Sequence, residues 1–230
     1  MNGVEQNVEQ SGYAVVPASV SEDTIRSLEQ TLEGREHGVR NLLTNPVIRN
    51  FAASEIVRTS VASVLGEGCF AVRGIFFNKN PSANWKVVWH QDCVIAVRER
   101  VKIAGWGPWS LKAGVTHVRP AAQVLDRMLA IRIHLDDCGL HNGPLRVIPG
   151  SHRQGFLSDS QIHDLPKEEA ASCVVHRGDA ILMRPLLLHA SSPALHPSNR
   201  RVIHLEFGAD ELPSGLEWHD RVAPQVVPFS

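Results

Sequence analysis

Trp89-His90-Gln91-Asp92 closes a β-like run that begins near residue 85. On a strand, residues i and i+2 project to the same side, so His90 and Asp92 can bring an imidazole and a carboxylate to one point. A mononuclear ferrous centre needs two histidines and one carboxylate on one face, with the opposite positions open. A second triplet, His134-Leu135-Asp136, offers the same spacing but lies in a continuous apolar run. The third donor must come from a later strand. His189 follows Asp92 by 97 residues, room for four to five strands, and follows Asp136 by only 53. The first triplet fits better, and His134 is expected in the barrel wall or at its edge.

Around this stretch the chain reads as short strands bounded by Gly, Pro and Asn. Val- and Ile-bearing runs fall near 70–78, 85–90, 93–98, 127–136, 144–148, 172–176, 180–184 and 201–208. Asn142-Gly143-Pro144 and Pro149-Gly150-Ser151 are turn signals. Residues 99–120 show no clear period and are expected to form an irregular lid or binding loop. The part before residue 70 reads helical. Ser19 and Glu22 have capping-box spacing ahead of Ile25, Leu28 and Leu32, and Asn45-Pro46 starts a second helix that Ser54-Glu55 can restart. The fold class is mainly β with N-terminal helices, a sandwich or open barrel with a helical wall.

At 230 residues the chain suits one large domain, 1–230, with a helical part about 19–66 and a β core about 70–208. A domain of that size folds without a metal, so a metal here is functional rather than structural. The net charge of -1 gives no reason to expect nucleic acid or an anionic membrane as partner. Cys69, Cys93, Cys138 and Cys173 stand far apart and suggest neither a zinc ribbon nor a redox pair. No signal-peptide pattern opens the chain and no apolar run approaches membrane-span length, so a cytoplasmic protein is expected.

For the third ligand, spacing alone leaves His176, His189, His196 and His204 open. His189 is favoured because it ends the buried run Leu186-Leu187-Leu188. His196 sits in a Pro/Ser loop, and His204 lies beside Glu206 on a strand that could face core or solvent.

The ordered set Trp89-His90-Gln91-Asp92, Asn142-Gly143-Pro144 through Pro149-Gly150-Ser151-His152, Gly178-Asp179, His189-x-Ser191 and Arg200 resembles the phytanoyl-CoA dioxygenase family over about residues 70–208. That resemblance implies a double-stranded β-helix core of jelly-roll or cupin-like form. It implies Fe(II) held by His90, Asp92 and His189 as catalytic metal ligands, and 2-oxoglutarate as cosubstrate. Arg200 matches the arginine that grips the distal carboxylate, a job suited to a planar guanidinium. Arg201 competes, but neighbours on a strand face opposite sides and only one can point inward. Ser191 matches a serine that can bond the same carboxylate. Gln91 matches a position near the cosubstrate, although the centre of the triplet points away from the metal. Arg132 stands where relatives often carry a tryptophan, so it could touch 2-oxoglutarate, touch an acidic substrate or form an ion pair.

The implied reaction hydroxylates a small molecule, with molecular oxygen consumed and succinate and carbon dioxide released. Relatives that halogenate replace the ligand carboxylate with a small residue, and Asp92 is present here. Lys79, Trp106 and Trp109 are the expected substrate contacts, an aromatic and basic group suited to a carboxylated metabolite. The alternative is a non-catalytic or non-2-oxoglutarate cupin-type metal protein, which has no need of Arg200.

Overall fold

The computed structural model describes residues 3–35 and 38–224. Helices α1 (Gly3–Ser11), α2 (Glu22–Thr31), α3 (Pro46–Ala53) and α4 (Glu55–Leu65) precede the main run of strands. The Asn45 side chain caps α3 by accepting from the Val47 and Ile48 amides, and Gly66 ends α4 at φ 90°. The expected capping pair at α2 is displaced. Ser21, not Ser19, is the N-cap, and its hydroxyl accepts from the Thr24 amide. Helix α1 and strand β1 (Tyr13–Val16) also lie ahead of the region read as structured from sequence.

Strands β2 (Phe70–Lys79), β7 (Met128–His134), β10 (Ala180–Met183) and β12 (Arg200–Gly208) join β1 in a five-stranded sheet of order β1-β10-β7-β12-β2. A four-stranded sheet of order β3-β11-β8-β9 is built from β3 (Val87–His90), β8 (Leu145–Val147), β9 (Ala171–Cys173) and β11 (His189–Ser191). Every pairing is antiparallel. This is the double-stranded β-helix expected above.

The large sheet has two different faces. Ile131 and Ile133 of β7 and Ile203, Leu205 and Phe207 of β12 pack with Ile25, Leu28, Ile48 and Val57 of the helices in one buried cluster. Two-residue alternation therefore turns Arg200, Val202, His204 and Glu206 the other way, into the space between the sheets. That space has an apolar end, where Ala130, Leu145, Val147, Ile181 and Met183 meet.

Residues 99–120 are more ordered than expected. Strands β4 (Ile95–Val97), β5 (Trp109–Lys112) and β6 (Val115–Val118) form a third sheet of order β4-β6-β5. Ala113 and Gly114 turn its β5–β6 hairpin with φ 49° and 78°, both left-handed. The Gly107-Pro108 breaks and the one-sided burial of this hairpin mask its alternation in sequence. All four cysteines are free thiols. No described helix is long and apolar enough to cross a membrane.

Gly143 sits at φ 61°, and a Cβ added there would lie 2.5 Å from the Ser192 carbonyl oxygen. Gly143→Ala is expected to cost about 1–3 kcal/mol of stability from strain plus forced displacement of backbone. Denaturant unfolding monitored by circular dichroism checks this, and an unchanged midpoint would count against the crowding.

Candidate metal and cosubstrate site

His90 ends β3 and His189 opens β11, and the two are register partners across those antiparallel strands. Their ring centroids are 4.2 Å apart. Nδ1 of His90 donates to the Val88 carbonyl at 2.9 Å, and Nδ1 of His189 donates to the Leu187 carbonyl at 2.8 Å. These bonds fix the tautomer and leave both Nε2 lone pairs free. Asp92 follows β3, held by its amide donating to the Pro185 carbonyl at 2.9 Å. Its two oxygens lie 3.8 Å from His90 Nε2 and 3.7 Å from His189 Nε2. One donor atom from each residue falls within 4.8 Å of the others, so one ion can meet all three. Burial pushes the Asp92 carboxyl up, but the surrounding His189, His204 and His90 with Arg73 outweigh it and hold it ionised. Burial pushes His189 down, against the pull of Asp92, and keeps it neutral. Both are in the protonation state a cation needs.

At the start of β12, Arg200 is 3% exposed and pairs in register with Lys79 of β2. Its Nη1 donates to the Gly143 carbonyl and, at 3.2 Å, to Ser191 Oγ. Lys79 Nζ donates to Ser191 Oγ and to the Ser192 carbonyl, both at 2.8 Å. Arg132 is also buried, its Nη1 lying 3.2 Å from His204 Nδ1. The Nε atoms of Arg200 and Arg132 have no partner. Among the described residues, none of these three cations pairs with a carboxylate. Buried charge without a counter-charge is costly, and a dicarboxylate reaching from the metal to Arg200 supplies one. Two oxygen donors for an open metal face and a distal carboxylate for these cations are what 2-oxoglutarate offers, so the residues fit both the ion and the cosubstrate.

His90, Asp92, His189, Ser191, Arg132 and Arg200 all line one cavity of about 380 Å³. Arg201 points outward, its guanidinium held by Asp136 and Glu29. His134 is buried in β7 with neither ring nitrogen partnered, and burial followed by Arg132 and Arg200 pushes it far below its ordinary range. The second H-x-D triplet is therefore split between the wall and an exterior ion pair.

Three expectations need correction. Gln91 touches the cavity, but its side chain is spent on backbone: it donates to Gly155 and Leu186 carbonyls at 2.9 and 2.7 Å and accepts from the Leu157 amide at 2.9 Å. It clamps the loop beside Asp92 and has no bond left for a cosubstrate. Lys79 stands behind Ser191 and Arg200, at the anchor end rather than at the substrate mouth. Trp106 and Trp109 pack on the apolar cluster of Ile95, Val97 and Val118, and neither lines the cavity.

Lining residues that sequence reading missed are Arg40, Arg73, Phe77 and Lys112. Arg73, Ile75, Phe77 and Lys79 are alternate residues of β2, so the signal for Arg73 and Phe77 was the alternation running back from Lys79. The motif residues outside the site are structural. Asp179 accepts from the Ala18 and His176 amides, and Ser151 Oγ accepts from the Leu188 amide next to His189.

The fold is shared with solved structures that hold iron or 2-oxoglutarate, and His90, Asp92 and His189 here could hold a metal ion. The profile of the family described as Phytanoyl-CoA dioxygenase (PhyH) matches residues 8–202, and the chain belongs to that family. The match takes in the helices, which the motif resemblance did not reach. Dioxygenase cnsJ of Penicillium expansum is 33% identical over 84 residues, 36% of this chain and 25% of its own length. Ectoine dioxygenase of Sphingopyxis alaskensis is 25% identical over 232 residues, 87% of this chain and 67% of its own length. The chain thus matches about a quarter and about two thirds of these curated relatives. Among solved structures, HygX of Streptomyces hygroscopicus, with nickel and 2-oxoglutarate bound, superposes with a TM-score of 0.66 at 15% identity, covering 90% of this chain and 86% of that one. The epimerase SnoN from nogalamycin biosynthesis superposes at 0.65 and 15% identity, covering 96% and 93%.

Burial, then the positive charge of Arg200, pushes the Lys79 ammonium down to about 7 from an unfolded value of 10.5. The fold therefore disfavours charged Lys79. Its contribution to stability is complete above pH 10.5 and is lost as pH falls toward 7, with a slope of at most about 1.4 kcal/mol per pH unit. Unfolding of the metal-free protein between pH 7.5 and 9.5 should show stability rising with pH. Lys79→Met should flatten that rise, and an equal slope in both proteins would show that Lys79 is not its source.

Proposed function

We propose that the chain is an Fe(II)- and 2-oxoglutarate-dependent oxygenase that oxidises a C–H bond of a small-molecule metabolite, releasing succinate and carbon dioxide. The observation that carries this is one cavity holding both an open-faced His90–Asp92–His189 triangle and two buried arginines, Arg132 and Arg200, without an acidic partner among the described residues. A metal protein without 2-oxoglutarate would leave those cations uncompensated. We read residues 1–230 as a single oxygenase domain.

His90, Asp92 and His189 would hold the iron, and Arg200 with Ser191 would hold the distal carboxylate of 2-oxoglutarate, with Lys79 braced behind Ser191 and Arg132 adjoining. The bound iron and cosubstrate together supply an oxidant strong enough to remove hydrogen from an unactivated C–H bond. The chain's own residues orient and shield that chemistry. Arg200 and Ser191 would fix one end of the cosubstrate, Phe77 and Trp85 give the cavity apolar surface, and Lys112 of the β5–β6 hairpin contributes to its wall. Asp92 fills the ligand position that halogenating relatives leave vacant, which supports hydroxylation. A structural neighbour is described as a non-heme alpha-ketoglutarate-dependent epimerase, an outcome other than hydroxylation on a similar fold.

Anaerobic addition of Fe(II) and 2-oxoglutarate should give a visible metal-to-ligand charge-transfer band in the wild type and none in His90→Ala. A wild-type sample without the band would sink the cosubstrate assignment. Arg200→Ala should weaken 2-oxoglutarate binding by about 2–5 kcal/mol, at least about thirtyfold in Kd, because it strips a buried charge-assisted contact. Calorimetric titration of the metal-loaded protein measures this, and a loss under threefold would remove Arg200 from the anchor.

A further inference from the structure

We propose that the cavity carries a second anion site at the end away from Arg200, formed by Arg73, Lys112 and Arg40, and that it docks a carboxylate or phosphate group of the primary substrate. The proposal rests on the oxygenase reading above and assigns the substrate's chemical class. Along β12 the inward residues run from Arg200 at one end to His204 and Glu206 at the other. Glu206 stands six residue steps along β12 from Arg200, roughly 20 Å. A single cosubstrate anchored at Arg200 and the metal cannot also reach the Glu206 end.

That far end is lined by Arg40, Arg73, Lys112 and Glu206. Arg73 Nη1 donates to Glu206 Oε1 at 3.1 Å, across the register pair that β2 and β12 make there. His204 Nε2 lies 3.3 Å from the same oxygen. Glu206 therefore offsets one cation and already has two partners. Neither Lys112 nor Arg40 has an ion pair among the described residues. The Lys112 ammonium is pushed down first by burial and then by the like charges of Arg73 and Arg40, against the weaker pull of Asp92 and Glu206. The like charges meet because two elements converge on the mouth. Lys112 ends β5 beside the Ala113 turn, and the Ala113 carbonyl accepts from Asn41 Nδ2 at 3.3 Å, next to Arg40. Three cations against Glu206 and the metal-binding Asp92, in a partly desolvated mouth, attract an anion and orient it.

Between the two charged ends part of the wall is apolar, with Ile75, Phe77, Trp85 and Val87, while His204 and Arg132 line the adjoining strands. A substrate with an acidic head at Arg73, Lys112 and Arg40 and a hydrocarbon body along these residues would set a body carbon beside the metal ligands. Lys112, three residues beyond Trp109, thus takes the part that the sequence assigned to the tryptophans.

The test is calorimetric titration of the anaerobic Fe(II) protein, first with 2-oxoglutarate and then, at saturating 2-oxoglutarate, with hexanoate, hexyl phosphate or hexanamide. One or both anions should bind at least about tenfold tighter than the neutral amide, and whichever anion binds tighter identifies the head group. Lys112→Glu should remove that preference and favour hexylamine instead. Its own 2-oxoglutarate titration, run alongside, reports whether the variant is folded. If the fold fails, Arg40→Glu on the mouth is read the same way. Equal binding of anions and amide, anions that bind only by displacing 2-oxoglutarate, or an unchanged preference in the reversed variants overturns the second site. Failure of 2-oxoglutarate itself to bind overturns the oxygenase reading, and the second site falls with it.

Discussion

The constraint on which the structure depends is the two-residue alternation of β12. Its outward residues, Ile203, Leu205 and Phe207, are locked into the helical wall with Ile25, Leu28 and Ile48. A one-residue slip would turn every side chain over, moving that apolar row into the polar cavity and burying Arg200, His204 and Glu206 against the helices. Because the hydrophobic row cannot move, Arg200, His204 and Glu206 must face the cavity. Arg201 is tied down on the other side by Asp136 and Glu29, which adds a charged reason for the same register. The choice between two adjacent arginines is thus made by apolar packing several residues away.

The opposing sheet is under a similar constraint. His90 and His189 meet as register partners of β3 and β11, 99 residues apart in sequence but adjacent on the sheet. Each ring is fixed by a bond from Nδ1 to the carbonyl two residues before it. Ser151 and the Pro185 carbonyl hold the backbone on either side, through the Leu188 and Asp92 amides. Loop positions such as Pro149-Gly150-Ser151 serve the site without touching it.

The metal triad, the inward arginine and eight strand regions were legible because each rests on local periodicity or on an ordered motif. The hairpin Trp109–Val118 was not, since one side of it is solvent-exposed at Leu111 and its glycines and proline resemble loop chemistry. The cap of α2 moved from Ser19 to Ser21 because two serines compete within three residues, and only the backbone path decides between them. The lining of the cavity mouth was not legible in its particulars. A basic, partly aromatic mouth was expected near residues 79–119, but Trp106 and Trp109 are consumed by packing. The cations come from Arg73, Lys112 and Arg40, whose meeting depends on contacts between distant segments.

A sandwich interior filled with cations is an unusual place to find stability. The fold manages it by dividing labour between faces. Most of the large apolar cluster lies outside the sandwich, between the large sheet and the helices, where hydrophobic burial scales with area and needs no exact polar partner. The interior has one apolar end near Ala130, Ile181 and Met183. The rest can hold Lys79, Arg132 and Arg200 at an energetic cost that the outer cluster offsets. That cost is recovered when an anion enters, since a ligand that binds the folded state alone stabilises it in proportion to its concentration over Kd. On the proposed reading, the same buried cations that cost the fold stability are what the distal carboxylate of 2-oxoglutarate would offset.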